Sequence, residues 1–190
     1  MRYWRGQYAV LDGACGGIAA GLLVMVWAAV LLPGLGLGGP WSFLNLVGAT
    51  VHQSWARFDG FDPVATPYGL AIHLAVSLSV GVLIVWAANR SRWWPTAVGG
   101  LVATAFWAGA QFAWLPLVNP SLYRYLPPLL LAAGHLVFGL SVGIYLDLRG
   151  RTVLREVQLW LVSPTAARRP RRPTRRRFRA AARTYSVGRA

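Results

Sequence analysis

The chain has 190 residues, of which 56% are hydrophobic, and its 19 basic residues outnumber its 5 acidic ones to give a formal net charge of +14. This composition places the chain among membrane proteins and not among soluble globular domains. The single cysteine, Cys15, excludes an intrachain disulfide and a cysteine-rich metal site.

Four apolar segments follow one another along the chain, at residues 13–32, 67–88, 95–118 and 128–146. Each is close to the roughly 20 residues that a helix needs to cross the hydrocarbon core of a bilayer. The sequence therefore predicts an all-α membrane protein whose four transmembrane helices make up a domain of residues 1–148.

The positions of the arginines predict the orientation of these spans. Arginines precede the first span, lie between the second and third spans, and follow the fourth, whereas the other two loops hold only Arg57 and Arg124. Because excess arginine marks the cytoplasmic side, both termini are predicted to be cytoplasmic, in a bacterial inner membrane. On that side, Asp147 is predicted to pair with Arg149 or Arg151.

The first arginine-poor loop contains a further segment, residues 40–55, which is too short and too polar to span a bilayer. It could form an interfacial helix or a re-entrant turn, and its sequence favours the interfacial helix. After the fourth span, apolar residues at helical spacing predict an amphipathic helix over residues 149–163, lying on the inner leaflet.

A nine-residue phrase occurs twice: residues 73–81 recur as residues 135–143, with six of nine positions identical. The helix before each copy also repeats weakly, since Gly16-Gly17 and Leu32-Pro33 correspond to Gly99-Gly100 and Leu115-Pro116. The spans are therefore predicted to form a duplicated helix pair, a parallel repeat about an axis along the membrane normal.

Each copy of the phrase opens with a histidine inside a span, and an ionisable residue at such a position is a candidate functional site. Small residues share the helix face of each histidine and are predicted to allow close helix packing. For His73 and His135 these small residues are Ser77, Gly81, Gly139 and Gly143.

Three hypotheses account for the two histidines. They could hydrogen-bond across the bundle to Ser77, Ser79, Gln111 or backbone carbonyls, which is the favoured hypothesis. They could be the axial ligands of one haem b, as neutral imidazoles at matched depth, although close packing on the small residues would leave no space for it. They could also belong to a proton or ion path with Gln111.

A ridge of glycines on the first span, Gly13, Gly17 and Gly21, has the GxxxG spacing of a close-packing helix surface. The ridge could pack inside the chain or against a partner subunit, and the sequence leaves both possibilities open.

The C-terminal tail, residues 164–190, is rich in arginine and contains no acidic residue. A basic segment next to a membrane is attracted to anionic lipid headgroups, which is the favoured interpretation ahead of an acidic surface on a partner protein, with nucleic acid unlikely. The arginines assigned to lipid or partner binding are Arg168, Arg169, Arg171, Arg172, Arg175, Arg176, Arg177 and Arg179.

The second half of the chain resembles the YagU-like family of small, largely uncharacterised bacterial inner-membrane proteins. The resemblance covers residues 67–151 and rests on Gly134-His135-Leu136-Val137 followed by Asp147-Leu148-Arg149. The His73…Ser77 phrase and the Gly100-Leu101…Leu115-Pro116…Pro120 pattern support it. The resemblance implies a multi-span inner-membrane protein without an established reaction.

No nucleophile–base arrangement, phosphate loop or metal-ligand spacing occurs in the sequence. The chain is therefore predicted to be non-enzymatic and to need no cofactor or metal. The favoured role is a structural or accessory subunit of a larger membrane complex or of a homo-oligomer. A b-type cytochrome is the alternative, and a small transporter is the third possibility.

Overall fold

The computed structural model describes residues 7–56, 60–91 and 93–162, and every regular element among them is helical. In chain order, the helices are α1 (Gln7–Gly34), α2 (Ser42–Gly48), α3 (Ala65–Arg90), α4 (Pro95–Gly109), α5 (Leu115–Val118), α6 (Pro120–Tyr125) and α7 (Pro128–Val162). A 3₁₀ turn (Gln53–Trp55) follows α2, and a π-helical segment (Ala110–Trp114) joins α4 to α5.

Four helical segments are long and apolar enough to cross a membrane, which confirms the predicted all-α class and the four spans. They are Ala9–Gly34, Ala65–Arg90, Pro95–Val118 and Pro128–Gly150. The third span comprises α4, the π segment and α5 in one continuous helical stretch. The predicted limits lie within these bounds because hydropathy detects the apolar centre of a helix and misses its polar ends.

Proline and glycine mark several of the helix ends. Prolines begin α4, α6 and α7, where a missing N–H costs nothing. Helix α1 ends in a Schellman motif, in which Leu37 N donates to Leu32 O and Gly36 N donates to Pro33 O. Gly36 adopts the positive φ of 68° that this motif requires.

The first and second spans cross at the glycine ridge. A Cβ atom at Gly17 would overlap the carbonyl oxygen of Ser77, and one at Gly81 would overlap the carbonyl oxygen of Gly13. A Cβ atom at Gly21 would likewise overlap the side chain of Ser77. The ridge therefore packs inside the chain, between α1 and α3, which answers the question that the sequence left open.

The third and fourth spans cross in the same manner. A Cβ atom at Gly99 would overlap the carbonyl oxygen of Gly139, and one at Gly143 would lie 2.7 Å from the carbonyl oxygen of Pro95. Each half of the domain is thus a helix pair whose backbones touch through glycine.

Contacts between α1 and α7 bring the two helix pairs together. The Trp27 ring packs against Gly134, and Arg149 Nε lies 3.5 Å from Asp12 Oδ1. Asp147 instead accepts a hydrogen bond from the Thr96 hydroxyl of α4. The predicted pairing of Asp147 with Arg149 is therefore wrong, because Asp12 of the first span pairs with that arginine. The side chain of the alternative partner, Arg151, lies outside the described residues.

The short helices α2 and α6 cover the end of the bundle at which α1 ends and α3 begins, which is called the α2 end below. Asn45 of α2 is fully buried, donates to Gly60 O at 2.8 Å and accepts from Thr66 Oγ1 at 2.6 Å. Asn119 caps α6 by accepting from Leu122 N and also donates to Leu46 O. Most of α2 is thus buried against the protein, and its position relative to a lipid interface stays a prediction.

Two predicted regions, the cytoplasmic amphipathic helix and the arginine-rich tail, lie partly or wholly outside the described residues. Helix α7 continues to Val162, so the predicted amphipathic helix has a helical backbone over residues 149–162. Residue 163 lies outside the described residues, and the position of this helix on a leaflet stays a prediction. Every arginine of the tail lies outside the described residues.

Candidate functional site

A cavity of about 150 Å³ lies among the four spans, in the half of the domain nearer to the α2 end. All four spans contribute to its wall, and α2 and α6 contribute Phe43 and Leu122 near one end. The wall is almost entirely apolar and contains no Asp, Glu, Lys or Arg. Its polar side chains are His73, His135, Ser77 and Thr50, and its two tryptophans each carry an indole N–H group.

His73 of α3 forms a hydrogen bond with the backbone of α1. Its Nε2 lies 3.0 Å from the carbonyl oxygen of Gly21 on α1, and its ring meets the edge of Phe43 at a centroid distance of 5.2 Å. The favoured hypothesis, an interhelical hydrogen bond to a backbone carbonyl, is correct for this histidine. Gly21 makes the bond possible, since the absent side chain allows α1 to approach α3.

His135 has a different partner, although its sequence context is nearly the same. Its Nδ1 lies 2.8 Å from the carbonyl oxygen of Leu131, one turn earlier in its own helix. Its ring is tilted against Phe106, with centroids 6.0 Å apart. The prediction that both histidines bond across the bundle is therefore wrong for His135, because the local carbonyl is closer to its ring.

The small residues beside the histidines leave space instead of removing it. Ser77 and Gly81 of α3 pack against α1, and Gly139 and Gly143 of α7 pack against α4. These small residues therefore do not bring α3 and α7 into contact with each other. The expectation that close packing would leave no room between the two histidine helices is wrong. Both histidines line the same cavity.

Gln111, which the transport hypothesis invokes, lies on the π segment and is only 2% exposed. Its Oε1 and the indole Nε1 of Trp107, one turn earlier, are buried without a hydrogen-bond partner among the described residues. Neither residue lines the cavity, whereas their neighbours Ala110 and Phe106 do. The structure therefore places the two histidines in one cavity and Gln111 outside its lining.

The cavity includes aromatic residues that the sequence did not single out. Trp27, Phe43, Phe106, Trp114 and Phe138 line it. The signal that could have found some of them is the repeat, because Phe138 lies in the second copy of the phrase three residues after His135. Phe43 could not have been found in this way, since α2 has no counterpart in the second half.

Within the described part of the chain, no three His, Cys, Asp or Glu side chains come together as metal ligands. The fold and the cavity define the class as an all-helical, multi-span integral membrane protein. Comparisons of the chain with protein-family models, with curated proteins and with solved structures found no match. The resemblance to the YagU-like family therefore stays a prediction.

Proposed function

We propose that this chain is a non-enzymatic membrane protein that holds an apolar molecule in the cavity between its helices. One observation carries the proposal, namely a cavity of about 150 Å³ with an apolar wall. Protein interiors contain few voids larger than a water molecule. A space of this size between the spans is therefore a candidate site for a bound molecule.

The predicted duplication supports a site shared by the two halves of the domain. Many lining residues form pairs that the repeat relates, with members 62, 82 or 83 positions apart. These pairs are His73 and His135, Ile72 and Gly134, Val76 and Phe138, Val24 and Phe106, Ala28 and Ala110, and Leu32 and Leu115. A cavity lined in this way lies on the proposed repeat axis.

A filled-cavity variant tests the proposal. Ala28 lines the cavity and is 3% exposed, whereas Ala19 on the same helix is exposed. The probe is 4-propyltoluene, an apolar molecule with one ring. We expect it to raise the melting temperature of the purified protein, with about 2.7 kcal/mol of stabilisation at 100 times its Kd.

The substitution Ala28→Leu should abolish this stabilisation by occupying the space, and the matched control Ala19→Leu should preserve it. Equal stabilisation of both variants, or no stabilisation of the wild-type protein, would count against a binding cavity.

The biological role that we propose for this binding protein is an accessory or structural subunit of a larger membrane complex or of a homo-oligomer. The glycine ridge no longer supports that role, since α3 covers it. Support comes from the exposed apolar side chains, among them Leu117, Leu129 and Phe112 at 83%, 82% and 75% exposure, which can face lipid or another subunit. Light scattering of the purified protein would give a protein mass above the 20.7 kDa of one chain, whereas a monomer without companion chains would contradict the role.

Haem b held by His73 and His135 is the alternative, favoured by the fact that both histidines line one cavity. Two features oppose it: His73 Nε2 already bonds Gly21 O, and about 150 Å³ suits one small ring and not a porphyrin. A reduced-minus-oxidised absorption spectrum separates the two proposals. A haem band that disappears in His73→Ala and in His135→Ala would replace our proposal, and a flat spectrum would leave it in place.

A further inference from the structure

We propose that the molecule held in the cavity is an uncharged hydroxylated ring, a phenol or a cyclic alcohol, whose hydroxyl group donates a hydrogen bond to Nε2 of His135. This inference rests on the proposed binding function and adds the chemical class of the ligand and the atom that recognises it.

The hydrogen-bond partner of His135 determines which of its ring nitrogens can accept. Nδ1 lies 2.8 Å from Leu131 O, and a backbone carbonyl can only accept, so Nδ1 carries the proton. In the neutral imidazole Nε2 is then an acceptor. It is the ring nitrogen farther from the helix backbone, and no residue in the described part of the chain donates to it.

His73 offers an acceptor as well, but at a less accessible atom. Its Nε2 donates to Gly21 O, so the nitrogen left over is Nδ1, next to its own Cβ. Neither neutral imidazole thus presents an N–H to the cavity. The other donors of the wall are the hydroxyl groups of Ser77 and Thr50 and the indole N–H groups of its tryptophans, so what His135 adds is an acceptor, and the ligand group that an acceptor recognises is a hydroxyl group.

The wall of the cavity favours a ligand that is uncharged, apolar apart from its hydroxyl group, and about the size of one ring. It contains no charged side chain that could pair with an ionised group, and an unpaired charge in such surroundings is strongly disfavoured. Trp27, Phe106 and Phe138 present aromatic surface to it. An apolar cavity of about 150 Å³ has room for one six-membered ring.

Two probes of the same shape test the inference in the purified full-length protein. 4-Propylphenol carries a hydroxyl group where 4-propyltoluene carries a methyl group. We would measure the Kd of each probe from its effect on the melting temperature, for the wild type, His135→Phe, His135→Gln and the control His52→Phe at an exposed site outside the cavity.

We expect His135→Phe to weaken the binding of 4-propylphenol relative to that of 4-propyltoluene by about three- to tenfold, as the loss of one neutral hydrogen bond predicts. His135→Gln, which keeps an acceptor oxygen, and His52→Phe should retain the wild-type ratio of the two constants. Because each comparison is between proteins in the same detergent, partition of the probes into micelles cancels.

If His135→Phe does not fold, a comparison of two probes with the wild-type protein still tests the inference. 4-Propylanisole, the methyl ether of 4-propylphenol, cannot donate a hydrogen bond and should bind about three- to tenfold more weakly than the phenol once each Kd is corrected for the measured partition of that probe into the micelles. A preference for the phenol that survives in His135→Phe, or equal binding of phenol and ether by the wild type, would overturn the inference while the proposed function stands. Failure of every probe to bind would overturn the proposed function itself.

Discussion

At the scale of single residues, the contacts of glycine determine how closely the spans approach. Gly17 touches the backbone of α3 at Ser77, whereas Gly109, also helical, has open space where a side chain would lie. Replacing either glycine by alanine gives the same gain in helix propensity, about 0.5–1 kcal/mol. The difference between the two substitutions therefore measures the packing at the crossing alone.

We expect Gly17→Ala to destabilise the protein, because the added methyl group overpacks the crossing at a cost of about 1–3 kcal/mol. Gly109→Ala should be neutral or slightly stabilising. Unfolding by SDS in mixed micelles measures both. If Gly17→Ala proved as stable as Gly109→Ala, the crossing would not be the close contact described above.

The same scale shows what sequence reasoning could find at the site and what it could not. The two histidines were identified because an ionisable side chain is rare within an apolar span. The bond from His73 to Gly21 depends on the register between α1 and α3, which no local pattern contains. The bond from His135 to Leu131 is local, and the repeat concealed it by suggesting that both histidines behave alike.

At the scale of elements, the spans were predictable from hydropathy, whereas the burial of α2 was not. Residues 40–55 were predicted to form an interfacial helix because the segment is short and polar, yet the side chains of Ser42 and Asn45 are fully buried. Asn45 is tolerated there because Gly60 O and Thr66 Oγ1 satisfy its amide. Gly60 lies in the segment that leads into α3 and Thr66 lies in the first turn of α3, and helical periodicity carries no information about such tertiary contacts.

The π segment of the third span accounts for a change in the register of the predicted repeat. Contacts at the glycine crossings match Gly17 with Gly99, an offset of 82, and not with Gly100 as the sequence pairing predicted. Beyond the π segment, Leu32-Pro33 matches Leu115-Pro116 at an offset of 83. A π turn holds one more residue than an α turn, so the extra residue is located at Ala110–Trp114.

If the π segment holds one extra residue, the third span should tolerate the removal of one residue and the first span should not. Deletion of the exposed Ala113 should convert the π turn to an α turn and keep Leu115 in place, so the melting temperature should change by only a few degrees. Deletion of the exposed Val30, the matching position in α1, should rotate Leu32 out of the core by about 100°, at a cost of about 2–5 kcal/mol.

Size-exclusion profiles and melting curves of the two deletion variants measure the effect. Equal damage by both deletions would show that the π turn is not an insertion relative to α1.

At the scale of the whole molecule, four candidate spans predict that both ends of the membrane domain lie on the same side, and the arginines predict that this side is cytoplasmic. The tail should then lie against the inner leaflet, where each arginine near an anionic surface contributes about 1 kcal/mol. That attraction is electrostatic and is therefore screened by salt.

We expect an arginine-specific protease to cleave residues 164–190 about tenfold more slowly, or slower still, in nanodiscs with anionic lipid than in nanodiscs of zwitterionic lipid alone. The difference should disappear at 0.5 M salt. Cleavage at the same rate in both nanodiscs at low salt would contradict lipid binding and favour a protein partner for the tail.

The two glycine crossings also bear on how the molecule is assembled. Each one joins spans that are consecutive in the chain, so the pair α1 and α3 can dock as soon as both have entered the membrane. The cavity, in contrast, needs His135 and Phe138 from the last span to be synthesised. Its wall is thus completed only after translation of α7, and a molecule held inside can be enclosed when the second pair closes on the first.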